Sequence, residues 1–178
     1  MDFDALYLRV LKYLNFRPRS EKEIRDYLKK ILSRHSERSE EYILRSTQDD
    51  NVADLIIHKL KKQRFLNDLE FAKMWIRSRT EFKPKGERLI RLELKQKGIS
   101  KDLIDEALLS FDEDQKTHSG ESRDDKVLAK EILEKRKKKY ESMDRQERFN
   151  KAGSMLARRG FDLDDIKWAI DQVFGKMV

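Results

Sequence analysis

The chain has 178 residues, of which 42% are charged and 38% hydrophobic, a polar balance for one compact globule but suited to a row of small helical units. Forty-one Lys and Arg against 34 Asp and Glu leave a net charge of +7, an excess that fits a nucleic-acid or nucleoprotein partner. The absence of cysteine excludes disulfides and cysteine-ligated metal centres, and the lack of any long uninterrupted apolar run excludes a membrane span.

In chain order, apolar residues recur at helical spacing almost throughout. Leu6, Val10, Leu11 and Leu14 form one face, and Ile24, Tyr27, Leu28 and Ile31 the next. Met1-Asp2-Phe3-Asp4 ahead of them is acidic and then amphipathic, unlike a signal peptide. Ser33 to Asp50 is polar and of low complexity, with only Tyr42, Ile43 and Leu44 hinting at a helical turn, so it reads as a loop insertion. The spacing resumes at Leu55, Ile56 and Leu60, then Phe71, Ala72, Trp75 and Ile76, then Leu89, Ile90 and Leu94, and then Leu103, Ile104, Ala107 and Leu108. Asp112 to Asp125 is acidic and contains Gly120, which predicts a flexible linker. Val127, Leu128, Ile132 and Leu133, then Phe149, Ala152 and Leu156, then Ile166, Ala169, Ile170 and Val173 complete the pattern.

Helix starts carry a capping residue followed three places on by an acid: Ser20/Glu23, Asn51/Asp54, Asn67/Glu70, Asp144/Glu147 and Asp162/Asp165. Pro84 suits a first helical turn. Gly98 and Gly160, each followed by an apolar residue, suit left-handed helix ends. No stretch alternates with period two for long enough to make a strand. The expected fold is therefore all-α: a tandem array of three three-helix modules, elongated and curved. Module 1 covers 1–66 with the insertion at 33–50, module 2 covers 67–111, the linker 112–125, and module 3 121–178.

The units share a phrase. Lys85-Gly86-Glu87-Arg88-Leu89-Ile90 leads to Glu93-Leu94-Lys95-Gln96-Lys97-Gly98-Ile99 and Asp102-Leu103-Ile104 in module 2. Module 3 answers with Met155-Leu156-Ala157-Arg158-Arg159-Gly160-Phe161 and Asp164-Asp165-Ile166, and module 1 places Ser20-Glu21, Ile24 and Leu28 in matching positions. A repeated helix–turn–helix unit stacks into an extended recognition surface, which points away from a catalytic pocket.

These phrases, with Phe65-Leu66-Asn67-Asp68 running into Phe71-Ala72 and the opening Ala5-Leu6, resemble the RecX family of small bacterial regulators of the RecA recombinase. The resemblance implies tandem three-helix modules arranged as a curved rod. It also implies a negative modulator that docks in or caps the RecA–DNA filament, inhibits its ATPase and strand exchange, and so regulates recombination, DNA repair and the SOS response. No enzyme, metal or cofactor goes with it; a cytoplasmic monomer does. The alternative function is direct nucleic-acid binding by a helical-repeat protein with a basic groove.

Two basic clusters are the candidate partner-binding surface for RecA or DNA. Module 2 contributes Lys83, Lys85, Arg88, Arg91, Lys95 and Lys97, and module 3 contributes Arg136, Lys137, Lys138, Arg158 and Arg159. Arg88, Arg91 and Lys95 fall at i, i+3 and i+7, on one helix face bordering the core. Any one of these cations also suits an ordinary solvated helix face. Trp75 and Trp168 have apolar neighbours that assign them to core packing. His35, His58 and His118 have no metal-ligand spacing.

Overall fold

A computed structural model of the chain describes residues 2–33, 42–119 and 124–175, with side chains for 2–33, 51–113 and 124–175. Among the described residues there are ten helices and no strand: α1 Phe3–Phe16, α2 Glu21–Ser33, α3 Tyr42–Lys62, α4 Asp68–Glu81, α5 Glu87–Gln96, α6 Lys101–Ser119, α7 Asp125–Glu134, α8 Lys137–Tyr140, α9 Arg145–Ala157 and α10 Leu163–Phe174. They build three modules, each with its own apolar core. Leu6, Val10, Ile24, Leu28, Ile56 and Leu60 centre the first. Phe71, Ile76, Ile90, Leu94, Ile104 and Phe111 centre the second, and Ile132, Leu133, Leu156, Phe161, Ile166 and Ile170 the third. The tenth helix, α8, is a single turn beyond the nine expected, ending at buried Tyr140.

Two segments expected to be irregular are largely helical where they are described. Residues 42–50 of the expected 33–50 insertion form the start of α3, which runs straight through Asn51, so that residue caps nothing. Residues 112–119 of the expected linker extend α6 to Ser119. Within 42–50 and 112–119 no Gly or Pro interrupts the chain, and an established helix propagates through polar residues because each further residue adds a hydrogen bond. Ser33 ends α2 and Asp124 caps α7, which begins at Asp125, while 34–41 and 120–123 lie outside the described residues.

The caps are mixed. Asn67 Oδ1 accepts from the N–H groups of Leu69 and Glu70 at 3.0 and 3.2 Å, and Asp144 Oδ1 accepts from Glu147 N at 2.8 Å. Ser20 and Glu23 form a reciprocal box, each side chain accepting the other's backbone N–H at 3.3 Å. Asp162 makes no side-chain cap bond. Pro84 precedes α5 instead of entering its first turn, because Gly86 is the N-cap. Gly98 and Gly160 hold φ of +82° and +88°, and the N–H groups of Ile99 and Phe161 reach back to Leu94 and Leu156 carbonyls at 3.1 and 3.3 Å. These are the left-handed helix ends expected.

Neighbouring modules are joined by one contact used twice. Between modules 1 and 2, Ser20 Oγ donates to the Lys97 carbonyl at 2.7 Å and Glu21 N–H donates to Asp68 Oδ1 at 2.8 Å. Between modules 2 and 3, Gly86 N–H donates to the Arg159 carbonyl at 2.9 Å and Glu87 N–H donates to Asp125 Oδ2 at 2.7 Å. In each joint the start of one helix, α2 or α5, is set into the turn that follows a helix of the next module, α5 or α9. An aspartate at the first residue of that next module's first helix, Asp68 of α4 or Asp125 of α7, takes up an N–H that the helix start leaves without an internal partner.

Candidate functional site

The second joint brings α5 against the end of α9 and leaves a cleft of about 440 Å³ between them, lined by Arg88, Leu89, Arg91, Leu92, Lys95, Ala157, Arg158 and Gly160. The close approach depends on missing side chains. A Cβ on Gly86 would lie 2.3 Å from the Gly160 carbonyl oxygen, and one on Gly160 would lie 2.3 Å from Leu89 Cβ. Cations more than sixty residues apart in the chain thereby share one concave surface.

The expected site residues divide into three sets. Arg88, Arg91, Lys95 and Arg158 are brought together in the cleft. Arg88 is 67% exposed and faces Asp162 at 3.6 Å across the joint, whereas Arg91 is held between Glu87 at 2.6 Å and Asp105. Burial opposes the Arg91 charge, but the two carboxylates outweigh it and raise its pKa above the usual arginine value. The Asp105 carboxyl is correspondingly lowered by Arg91. Lys95 and Arg158 are exposed and form no ion pair with any described residue. These two carry the most available positive charge in the cleft.

Lys85 and Lys97 are used internally. Lys85 is bonded to Glu93, which also accepts from Arg79 Nε at 2.8 Å and from Trp75 Nε1 at 2.9 Å. Burial pushes the Glu93 pKa up, and the bonds from Lys85, Arg79 and Trp75 more than reverse that, leaving it below the usual carboxylate value. Lys97 bonds Glu23 at 2.9 Å across the first joint and lies 4.5 Å from the Trp75 ring centroid. Burial opposes the Glu23 charge, but Arg17 and Lys97 outweigh it and hold the pKa at about 2.

The third set is dispersed. Lys83 is exposed in the loop before α5, and Arg136, Lys137 and Lys138 are exposed at α8. Arg159 is half-buried beneath the second joint, where burial and then nearby Arg136 lower its pKa. Trp75 lies against Phe71 on the core with its ring centroid 5.8 Å away. Trp168 departs from the core assignment: it is 36% exposed on α10.

Sequence reasoning missed Leu92, which is 50% exposed in the cleft wall, and the joint aspartates Asp68 and Asp125. Aligning Ser20-Glu21 with Gly86-Glu87 across the repeat is the signal that would have exposed the joint. Among the described residues no cluster of His, Asp or Glu could hold a metal ion, and no helix is long and apolar enough to cross a membrane.

Models of three successive domains of one family match this chain: the first RecX three-helix domain at residues 7–31, the second at 67–108 and the third at 124–170. The chain belongs to the RecX family. The Regulatory protein RecX of Bacillus velezensis is 33% identical over 171 residues, covering 96% of this chain and 56% of its own length. That of Bacillus subtilis is 33% identical over 165 residues, covering 93% and 53%. This RecX-family chain thus spans about half the length of these Bacillus relatives. The Regulatory protein RecX of Prosthecochloris aestuarii is 30% identical over 167 residues and matches in extent, at 93% of this chain and 91% of its own. The crystal structure of RecX from Lactobacillus salivarius superposes with a TM-score of 0.70 over 96% of both chains at 23% identity, a likeness of fold.

Proposed function

We propose that this chain is a negative modulator of RecA that docks on the RecA–DNA filament and suppresses its ATP hydrolysis and strand exchange, acting without catalysis of its own in recombination and DNA repair. Membership of a family of regulators, together with a cationic cleft presented between two hydrogen-bonded modules, supports this reading. The observation that carries it is the convergence of Arg88, Lys95 and Arg158 on one concave surface. A ligand of this kind acts through its differential affinity for two filament states, so it favours the filament geometry that fits its surface better.

The test is RecA ATPase on single-stranded DNA, titrated with this protein and with its Lys95→Gln/Arg158→Gln variant. Inhibition by the parent protein and a several-fold higher half-inhibitory concentration for the folded variant are expected. Arg91 is left unchanged in this variant because it holds Glu87 and Asp105. No inhibition by the parent protein would sink the reading. The second reading, direct nucleic-acid binding, is supported by the exposed Arg136, Lys137 and Lys138 at α8. It requires DNA binding without RecA that weakens steeply as salt rises.

A further inference from the structure

The cleft between modules 2 and 3 contains more than charge. Leu89, Leu92 and Ala157 are among its lining residues, and none of the eight carries a carboxylate or an aromatic ring. Leu92 stands on α5 four residues after Arg88 and three before Lys95, so cation, leucine and cation follow one another along one helix face. Arg158 adds a further cation from the α9 side. A phosphodiester backbone would satisfy the cations but leave the leucine wet. A nucleobase stacks on aromatic rings, and the cleft has none.

We propose that this cleft binds an acidic peptide segment that presents one apolar side chain, with that side chain seated against Leu92 and the flanking carboxylates on Arg88, Lys95 and Arg158. Charge complementarity selects an acidic segment over a neutral one, and the apolar wall selects a peptide over a nucleic-acid backbone. The volume of about 440 Å³ is within the ordinary range for ligand pockets. The site is assembled by the joint, because Gly86 N–H on the Arg159 carbonyl at 2.9 Å holds the two walls in register. The proposal deepens the reading of this cleft as a partner contact but does not require the partner to be RecA.

Fluorescence anisotropy tests it without RecA, using a labelled synthetic peptide of Asp, Glu, Gly and Ser with one central Leu. The same peptide with Ser in place of Leu, and a labelled oligothymidylate, serve as the other probes. The leucine peptide is expected to bind saturably, with the serine peptide weaker by about tenfold. Leu92→Ser should remove the difference between the two peptides, and Lys95→Gln/Arg158→Gln should weaken both. Gly86→Ala should abolish binding while leaving helical circular dichroism intact, since the added Cβ forces the walls apart. Three results would overturn the proposal: equal binding of the two peptides, absence of saturable peptide binding, or a cleft-dependent preference for oligothymidylate. RecA inhibition without peptide binding would sink this inference alone. Peptide binding without any effect on RecA would sink only the RecA reading.

Discussion

Gly160 is held at φ +88°, and a Cβ built on it would lie 2.3 Å from Leu89 Cβ and 2.8 Å from Leu89 N. Backbone conformation and module packing thus make separate demands on the same residue. The left-handed conformation alone costs a β-branched residue about 1–2 kcal/mol, and the overlap with Leu89 adds to that. Gly160→Val is therefore expected to lower the thermal midpoint by several degrees. Gly153→Ala is the contrast: it lies inside α9, where a new Cβ would meet Ile166 Cγ2 at an ordinary 3.6 Å. Replacing a helix-interior glycine with alanine there stabilises by roughly 0.5–1 kcal/mol. Thermal melts of both variants check the pair, and equal shifts would mean that neither φ nor the joint matters at position 160. Gly160 was legible as a helix end from the phrase Arg158-Arg159-Gly160-Phe161. Its packing against Leu89 was not, because contact between modules leaves no local pattern.

Helix α8 is only one turn, Lys137–Tyr140, and carries three lysines in succession, so little in its own residues stabilises it. Its closing carbonyls are gathered from outside. Arg148 on α9 donates to the carbonyls of Tyr140, Glu141 and Met143 at 3.1, 3.2 and 2.9 Å, and its guanidinium lies 4.8 Å from the Phe174 ring centroid. A positive group at a helix C-terminus also meets the negative end of the helix dipole. Arg148→Ala is expected to cost about 1–2 kcal/mol, since hydrogen bonds from a charged group are worth more than neutral ones. Hydrogen exchange at Tyr140–Met143 should accelerate, while α4–α6 remain protected. Unchanged exchange there would place the support of α8 elsewhere. Periodicity identified the long helices from their buried faces, but it overlooked a one-turn helix and set the start of α3 and the end of α6 too far inward. Capping residues such as Asn51 are only a local preference, overridden when the helix on either side has reason to continue.

Across the whole molecule, the joints convert three small cores into one surface, and the first of them is expected to respond to acid. Glu23 faces Arg17 at 2.7 Å on its own module and Lys97 at 2.9 Å on the next, and its folded pKa of about 2 lies below the ordinary 4.5. A depressed folded pKa means stability present above about pH 4.5 and lost as pH falls toward about 2. Glu21 is lowered as well, by Lys61 and, against burial, by Arg25. Asp68 acts in the opposite sense, because burial raises its pKa and protonation relieves that cost. The large shift at Glu23 sets the net sign. Urea midpoints should therefore fall between neutral pH and about pH 3, and fall less in a Glu23→Gln variant. An identical acid response in the two proteins would show that this joint is not the acid-sensitive element.

The sequence by itself determined the helical class, the three cores, the glycine helix ends and the family, because each is written in local spacing and in a phrase repeated along the chain. It also named all four cations of the cleft without showing that they meet. Tertiary structure decided which cations are available: Lys85 and Lys97 are consumed by Glu93 and Glu23, while Lys95 and Arg158 are exposed and form no ion pair with any described residue. The physical reason is that ion pairing and module packing depend on distances through space. In the second joint those distances are set by backbone approaching backbone at Gly86 and Gly160.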